Sequence, residues 1–237
     1  MKCLIVAAGQ GTRLREKGAL KPLIPIGGRP LIEHVITRAR SAGVQDFYVV
    51  SGYRGDELRA ELNAFSEREG ARITHIVNES WDRANGLSVL RAKLYLNEPF
   101  LLSMCDHLVD PDIFHVLMSG FAPDTVTLGV DFNIDNPLND LDDVTRVKCA
   151  NGRIEHIGKV IREFNALDTG IFLCTPVIFA ALEESQRQGD DSISGAMTVL
   201  AGWGKARALD IGDRLWVDVD DPIAFAKAEE LLRSQRL

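Results

Sequence analysis

The segment Cys3-Leu4-Ile5-Val6-Ala7-Ala8-Gly9-Gln10-Gly11-Thr12-Arg13 joins an apolar run to a loop of small residues. The uninterrupted apolar run predicts a strand that is covered on both faces of a sheet. Glycine and alanine let the loop turn sharply and bring backbone N–H groups against a ligand, and successive amides of this kind bind anions. Arg13 and Lys21 add two positive charges. The segment therefore predicts a polyphosphate site at the carboxyl end of the first strand, with contacts from Ala7, Ala8, Gly9, Gly11 and Thr12.

Two common phosphate-binding loops do not match this segment. A P-loop requires the pattern G-x-x-x-x-G-K-[ST], which is absent from the chain. The dinucleotide pattern G-x-G-x-x-G is met by Gly9 and Gly11, but Leu14 occupies the third glycine position. That fold also requires an acidic residue near the end of the second strand, where this chain has Ser51-Gly52. These differences argue against a dinucleotide-dependent oxidoreductase. The positive charges of Arg13 and Lys21 argue against a turn that has only a structural role.

Composition narrows the class of protein. The 237 residues are 46% hydrophobic and carry a formal net charge of −7, which predicts one domain over residues 1–237 and argues against nucleic acid as a partner. No apolar run reaches the length of a membrane span, and a strand begins too early to leave room for a signal peptide. The four cysteines are widely spaced in apolar runs, as is typical of buried thiols in a reducing compartment. We therefore expect a cytoplasmic location.

Strand and helix patterns alternate through the first half of the chain. Apolar strands are predicted at 46–51, 73–77 and 100–105, and helices at 30–42, 55–68 and 86–96. This alternation predicts an α/β fold with a doubly wound, mostly parallel, Rossmann-like sheet, and places the ligand site outside the carboxyl ends of the strands.

The second half is less regular and richer in strands. Strands are predicted at 125–131, 144–149, 153–157, 170–174 and 207–211, with a hairpin turn at Asn151-Gly152 and helices at 177–188, 194–201 and from residue 222. We expect residues 1–110 to form a nucleotide-binding half. Residues 111–237 would form an acceptor-binding half that includes a small β-rich insertion.

Acidic residues complement the basic loop. Asp106 ends the strand at 100–105, where ligands bind in such sheets, and alternation puts Asp218 and Asp220 on the same side of an extended segment. Mg²⁺ prefers carboxylate, water and phosphate oxygens, so Asp106 with Asp218 or Asp220 is the predicted metal site. His107 and His34 are assigned structural roles.

The loop, together with Lys21-Pro22, resembles that of the nucleotidyltransferases that make activated sugars and activated polar alcohols. The resemblance extends over the whole chain and implies the nucleotide-diphospho-sugar transferase type of fold. Within that group the chain looks most similar to the CTP:inositol-1-phosphate cytidylyltransferases. The segments that carry this similarity are 85–88, 104–107, 157–159, 162–164, 168–172 and 215–220.

The resemblance implies roles for individual residues. CTP would lie over the glycine loop, with Arg13 on its triphosphate, Lys21 on its α-phosphate and Asp106 holding Mg²⁺. Lys159 matches the lysine that binds the acceptor phosphate in sugar-nucleotide relatives. Those relatives have a glutamate before this lysine, whereas this chain has Gly158, which argues against a hexose 1-phosphate. Further predicted contacts are Asp168 and Thr169 with the acceptor hydroxyl groups, and Glu79 and Gly86 with the cytosine base.

Several alternatives stay open at this point. The acceptor could be phosphocholine, an aminoalkyl phosphonate or a sugar 1-phosphate, although only three Trp and three Tyr are available to surround a choline group. A protein of another class, a non-catalytic nucleotide-sensing subunit, is also considered. A CDP-alcohol product would feed a membrane CDP-alcohol transferase, and the oligomeric state is left open, with a homodimer as one option.

Overall fold

The computed structural model describes residues 1–237 and contains thirteen strands and seven α-helices. Their bounds, in chain order, are β1 (Lys2–Ala7), β2 (Pro25–Ile26), β3 (Arg29–Pro30), α1 (Leu31–Ser41), β4 (Asp46–Ser51), α2 (Gly55–Glu69), β5 (Arg72–Val77), α3 (Gly86–Arg91), β6 (Phe100–Met104), β7 (His107–Val109), α4 (Asp112–Ser119), β8 (Val126–Asp131), β9 (Arg146–Ala150), β10 (Arg153–Gly158), β11 (Ala166–Cys174), α5 (Val177–Arg187), α6 (Ile193–Gly202), β12 (Ala206–Asp210), β13 (Trp216–Asp218) and α7 (Pro222–Arg233).

Nine of these strands form one sheet in the order β5-β4-β1-β6-β11-β8-β12-β10-β9. The first four are parallel, so their carboxyl ends lie at one edge. Strand β1 is apolar on both faces: Ile5 belongs to one hydrophobic cluster, and Leu4 belongs to a second cluster. The predicted Rossmann-like, doubly wound α/β fold is confirmed.

The second half of the chain extends this sheet with mixed strands. Strand β11 is antiparallel to both β6 and β8, and β12 is parallel to β8. The β9–β10 hairpin turns at Asn151 and Gly152, both of which have positive φ, as the sequence predicts. Strand β11 begins four residues before the predicted position because Ala166 and Leu167 pair with β9.

Helix α3 is shorter than predicted. It ends at Arg91, after which the amides of Lys93 and Tyr95 donate to carbonyl groups three residues earlier, as in tight turns. These turns bury Leu96 in the core and leave Leu94 exposed.

A separate two-stranded sheet was not predicted. The short strands β7 and β13 pair antiparallel, with Asp218 directly opposite His107. This pairing brings together two acidic segments that lie more than one hundred residues apart in the chain, at the carboxyl edge of the large sheet.

All four cysteines are buried free thiols, as expected. None of the helices combines the length and the apolar character that crossing a lipid bilayer requires.

Candidate active site

The glycine loop follows β1 and is fastened to the neighbouring strand. The carbonyl group of Ala8 accepts a hydrogen bond of 2.9 Å from the N–H of Tyr53, just beyond β4. Gly11 has a φ of 61°, and a side chain at this position would collide with the side chain of Lys21. Gly9 is exposed and has open space in front of its Cα atom. The second glycine therefore admits the lysine, while the first leaves the backbone accessible.

The two predicted cations of the loop are both held by carboxylates. Lys21 is only 5% exposed, and its Nζ donates to Asp106 Oδ2 at 2.6 Å and to Asp220 Oδ1. Burial lowers the pKa of Lys21, but attraction to Asp106 and Asp220 outweighs burial, so the pKa is raised and the amine stays charged. Arg13 is half-exposed and donates to Asp220 and Asp143. The loop thus presents fixed positive charge next to the end of β6.

Asp106, His107 and Asp218 form a compact group of potential metal ligands. The Nε2 atom of His107 lies 3.7 Å from Asp106 Oδ1 and 3.6 Å from Asp218 Oδ1. One potential ligand atom from each residue lies within 4.8 Å of the others. Neither of these two carboxylate oxygens has a hydrogen-bond partner although both are buried. Unpartnered carboxylate oxygens of this kind fit a hard divalent cation such as Mg²⁺.

The pKa values and partners of these carboxylates are consistent with a cation shared by Asp106 and Asp218. Burial, together with repulsion from Asp106 and Asp220, raises the pKa of Asp218 to about 7, against a smaller opposing effect of His107. Burial also raises the pKa of Asp106, but attraction to Lys21 and His107 outweighs it, so that pKa is lowered. Both oxygens of Asp220 are engaged by Lys21 and Arg13. Asp218 is therefore better placed than Asp220 to share a cation with Asp106.

His107 is a member of this group that the sequence did not indicate. The carbonyl group of Thr169 accepts a hydrogen bond of 2.8 Å from His107 Nδ1, and this turns Nε2 toward the carboxylates. The ring also stacks on Trp216 of β13, at a centroid distance of 6.2 Å. Burial lowers the pKa of His107, but attraction to Asp218 and Asp106 raises it overall. In the sequence, the indication of such a role is that His107 directly follows Asp106. The pairing of β7 with β13 then places His107 opposite Asp218.

The predicted acceptor residues and the carboxylate cluster line the same open cavity, whose volume is about 180 Å³. Lys159 and Asp168 both line this cavity. Asp168 accepts a hydrogen bond of 2.7 Å from the N–H of Gly170. Burial raises the pKa of Asp168 to about 6, although that hydrogen bond and His107 act in the opposite direction. The cavity thus combines a cation with a hydrogen-bonding carboxyl group.

Thr169 does not share this position. Its side chain is fully buried, and its hydroxyl group donates to the carbonyl oxygen of Gly129 at 2.7 Å. Successive side chains of a strand point to opposite faces, so Asp168 and Thr169 of β11 do not both face the cavity. The hydroxyl group of Thr169 is therefore unavailable to an acceptor, contrary to the expectation from the sequence.

The residues predicted to contact the base lie outside this cavity. Glu79 is exposed in the loop after β5, whereas its neighbour Asn78 is buried and donates to Ser88 Oγ at 3.0 Å. Gly86 begins α3 and is packed against the backbone of Asp191. The loop backbone of Ala7 and Ala8 is buried, whereas Thr12 is exposed.

Four polar residues that the sequence analysis did not select also line the cavity: Asn85, Asp143, Thr145 and Ser194. Asn85 Oδ1 accepts a hydrogen bond of 3.0 Å from the N–H of Ile193 at the start of α6. Asp143 binds both Arg13 and Lys159. The Asn85–Ile193 and Arg13–Asp143 contacts join segments that are more than one hundred residues apart in sequence, so no local pattern predicts them. Asn85 does, however, lie in a segment that carries the family resemblance.

Comparisons with known proteins identify the family of the chain. Residues 3–156 match the family described as MobA-like NTP transferase domain. The bifunctional IPC transferase and DIPP synthase of Rubrobacter xylanophilus is 32% identical over 235 residues, covering 96% of this chain and 51% of that protein. The CMP-5′-(3-aminopropyl)phosphonate synthase of Streptomyces rubellomurinus is 29% identical over 241 residues, covering 94% of this chain and 37% of that protein.

A solved structure is similar over nearly the whole chain. The inositol-1-phosphate CTP transferase from T. maritima superimposes with a TM-score of 0.85 at 27% identity, covering 98% of this chain and 94% of that chain. The chain spans about half the length of the bifunctional relatives that it matches. From the glycine loop, the acidic cluster and these similarities together, the chain is a nucleotidyltransferase and belongs to the MobA-like NTP transferase domain family.

Proposed function

We propose that the chain transfers the cytidylyl group of CTP to a small phosphorylated alcohol, with inositol 1-phosphate as the acceptor, and releases pyrophosphate. The observation that carries this proposal is the arrangement of cations around the carboxylate cluster. Lys21 and Arg13 contact the carboxylates on the glycine-loop side, and Lys159 lines the cavity, where it pairs with Asp143. Two phosphate groups that must react with each other need such separate positive positions. The similarity to an inositol-1-phosphate CTP transferase supports this choice of substrates.

The reaction requires positioning and charge neutralisation from these residues. An oxygen of the acceptor phosphate forms a bond to the α-phosphorus of CTP, and the bond from that phosphorus to the bridging oxygen of the β-phosphate breaks. The electron pair leaves with pyrophosphate, so no protein nucleophile is needed. Lys21 is buried and charged, and it suits the α-phosphate, where negative charge is redistributed during the transfer. Arg13 suits the β- and γ-phosphates because its side chain reaches the open side of the loop.

Asp106 and Asp218 are the residues that would hold Mg²⁺. When bound, this ion neutralises charge on the phosphates and lowers the barrier to their approach. His107 keeps the two carboxylates oriented through its contacts with both. Asp220 has a different role in this proposal, because its two oxygens hold Lys21 and Arg13 in place.

On the acceptor side, Lys159 would bind the phosphate group and Asp168 would accept hydrogen bonds from the ring hydroxyl groups. Asn85, Thr145 and Ser194 line the same cavity and offer further polar contacts to a polyol. An aminoalkyl phosphonate is the second candidate acceptor. The carboxyl group of Asp168 favours it because it would pair with an ammonium group, and a curated relative carries the name of such a synthase. The CDP-alcohol product would be the substrate of a membrane CDP-alcohol transferase.

The test is pyrophosphate release from CTP with four acceptors: inositol 1-phosphate, 3-aminopropylphosphonate, phosphocholine and glucose 1-phosphate. Each is measured with Mg²⁺ and with EDTA, and mass spectrometry identifies the product. We expect the highest kcat/KM with inositol 1-phosphate and no turnover in EDTA. Preference for another acceptor would replace inositol 1-phosphate in the proposal. Tight CTP binding without turnover on any acceptor would favour a nucleotide-sensing subunit.

A further inference from the structure

One carboxylate links the two sides of the site. Asp143 Oδ2 accepts from Arg13, and Asp143 Oδ1 accepts from Lys159 Nζ at 2.6 Å. The first of these contacts spans 130 residues of sequence. Under the proposed function, Arg13 serves the nucleotide and Lys159 serves the acceptor. In the free protein, the side chain of Asp143 therefore binds both the cation proposed to contact the nucleotide and the cation proposed to contact the acceptor.

The phosphate groups of the substrates would compete with Asp143 for these two cations. It is the only carboxylate that forms an ion pair with Lys159, and it lies at hydrogen-bond distance from the lysine nitrogen. A phosphate oxygen bound to the same nitrogen would lie beside this carboxylate, and the two like charges would weaken each other's binding. The same argument applies at Arg13, whose other carboxylate partner is Asp220. Binding of either phosphate group thus competes with Asp143.

The segment that carries Asp143 is held in place by the rest of the fold, whereas the Asp143 carboxylate is held by two cations alone. At the start, Asp131 accepts hydrogen bonds from Asn136 Nδ2 at 2.9 Å and from Trp216 Nε1 at 2.8 Å. At the end, the N–H groups of Asp143 and Val144 both donate to the carbonyl oxygen of Asp140. The Asp143 carboxylate itself has no hydrogen-bond partners besides Arg13 and Lys159, so rotation of this one side chain releases both cations.

We infer that Asp143 couples the two substrate sites: it holds Arg13 and Lys159 together in the free enzyme, and the first phosphate ligand to bind releases it from both. The second ligand then meets a cation that is already free and binds more tightly. Thermodynamic linkage makes this effect reciprocal, so either substrate strengthens the binding of the other by the same factor. Asp143 is in this account a positioning residue, since it acts through the two cations. The inference rests on the proposed assignment of those cations to two substrates.

The strength of the two ion pairs sets the size of the effect. Arg13 and Lys159 have side chains that are 50% and 54% exposed, so the pairs are well solvated. Exposed pairs of this kind each change an equilibrium by about 1.7- to 3.2-fold, so two of them released together predict a coupling of about 3- to 10-fold. Burial raises the pKa of Asp143, but hydrogen bonds from Lys159 and Arg13 outweigh it and lower that pKa to about 2. The carboxylate is therefore charged throughout the pH range of the assay.

The test measures binding without turnover. The α,β-methylene analogue of CTP cannot release pyrophosphate, and inorganic phosphate serves as the probe for the acceptor phosphate site. Isothermal titration calorimetry gives the dissociation constant of the analogue with and without saturating phosphate. The proteins compared are wild type, Asp143→Asn, Asp143→Glu and the control Asp142→Asn. Asp142 is an exposed carboxylate of the same turn and has no contact with Arg13 or Lys159.

We expect phosphate to tighten analogue binding about 3- to 10-fold in wild type and in Asp142→Asn. In Asp143→Asn each probe should bind more tightly alone, and the coupling should fall to nearly one, while Asp143→Glu should restore part of it. Unchanged coupling in Asp143→Asn would overturn the inference, and so would weaker binding of both probes, which would make Asp143 part of the binding surface. If phosphate bound neither to wild type nor to Asp143→Asn, Lys159 would not belong to a phosphate site, and the inference would be overturned as well.

These results are separable from the proposed reaction. Coupling that depends on Asp143, together with no turnover of inositol 1-phosphate, would leave the inference standing with a different acceptor. Turnover of inositol 1-phosphate without such coupling would leave the proposed function standing and remove the inference. Circular dichroism of each variant confirms that the fold is retained, and the exposed turn makes a loss of structure unexpected.

Discussion

Replacing Asp168 by asparagine should stabilise the protein at neutral pH while harming its proposed function. The carboxyl group is largely buried beside the cavity, and its principal partner is the N–H of Gly170. Burial raises the pKa from 3.8 to about 6. At 1.36 kcal/mol per pKa unit, this difference corresponds to a cost of up to about 3 kcal/mol for keeping the group ionised in the folded protein. Asparagine has the same shape, retains an acceptor for Gly170 and carries no charge.

The pH dependence follows from linkage. Because the pKa is higher in the folded state, the folded protein holds a proton that the unfolded chain has already released between about pH 4 and pH 6. The contribution of Asp168 to stability is thus present below the unfolded pKa and is lost as the pH rises through about 6. The variant Asp168→Asn has no carboxyl group to ionise, so it does not lose this stability as the pH rises. Its advantage in unfolding free energy should be small at pH 4, should grow to about 2–3 kcal/mol, and should level off above pH 7.

Urea unfolding of wild type and Asp168→Asn, measured at intervals from pH 4 to pH 8 without metal or nucleotide, checks this expectation. The control is Asp210→Asn, which changes the charge of an exposed strand end away from the cavity. A stability difference that does not vary with pH, or a variant less stable than wild type at pH 8, would refute the reasoning. The acceptor KM should rise in the same variant, because a neutral amide accepts hydrogen bonds from hydroxyl groups less strongly than a carboxylate.

Three further predictions concern the proposed reaction. Asp106→Asn should lower kcat on the order of 100-fold while changing the dissociation constant of metal-free CTP little, because it removes a proposed metal ligand. A kcat of Asp106→Asn equal to that of wild type would exclude Asp106 from the mechanism. Lys21→Ala should mainly lower kcat, because Lys21 meets charge that is redistributed in the transition state, whereas Lys159→Ala should mainly raise the acceptor KM, because Lys159 meets charge already present in the ground state. Steady-state kinetics separates the two effects. An unchanged acceptor KM in Lys159→Ala would show that Lys159 does not bind the acceptor. Glu79→Gln should narrow the preference for CTP over UTP by roughly 1–3 kcal/mol, because glutamine can donate to the uracil oxygen that a carboxylate repels; an unchanged ratio of the two kcat/KM values would assign base selection to the backbone.

Local features of the fold were readable from the sequence. The alternation of strands and helices predicts the parallel half of the sheet because each element reports its own environment over a few residues. The last helix begins at the predicted residue 222, and the side chain of Asp221 before it accepts from the N–H groups of Ile223 and Ala224. The end of α3 was misplaced because apolar spacing alone does not distinguish a continuing helix from tight turns that bury Leu96.

The candidate site was only partly predictable for the same reason. Strand ends identify Asp106 and Asp218 as residues near the ligand edge, but the sequence could not choose between Asp218 and Asp220. The β7–β13 register favours Asp218 for the proposed metal site, because it places Asp218 opposite His107, whereas Asp220 binds Lys21 and Arg13. Thr169 was misassigned because β11 extends through it, and alternation then turns its hydroxyl group away from the cavity.

By itself, the sequence determined the glycine loop, its cations and the class of fold, since these depend on neighbours a few positions away. Only the tertiary structure decided which carboxylates share a cluster and which carboxylate holds Arg13 to Lys159. Asp143 and Arg13 lie 130 positions apart, and their contact is made by loops that the folded sheet holds next to each other. Electrostatic interactions depend on distance in space, and at this separation the order of residues along the chain does not specify that distance.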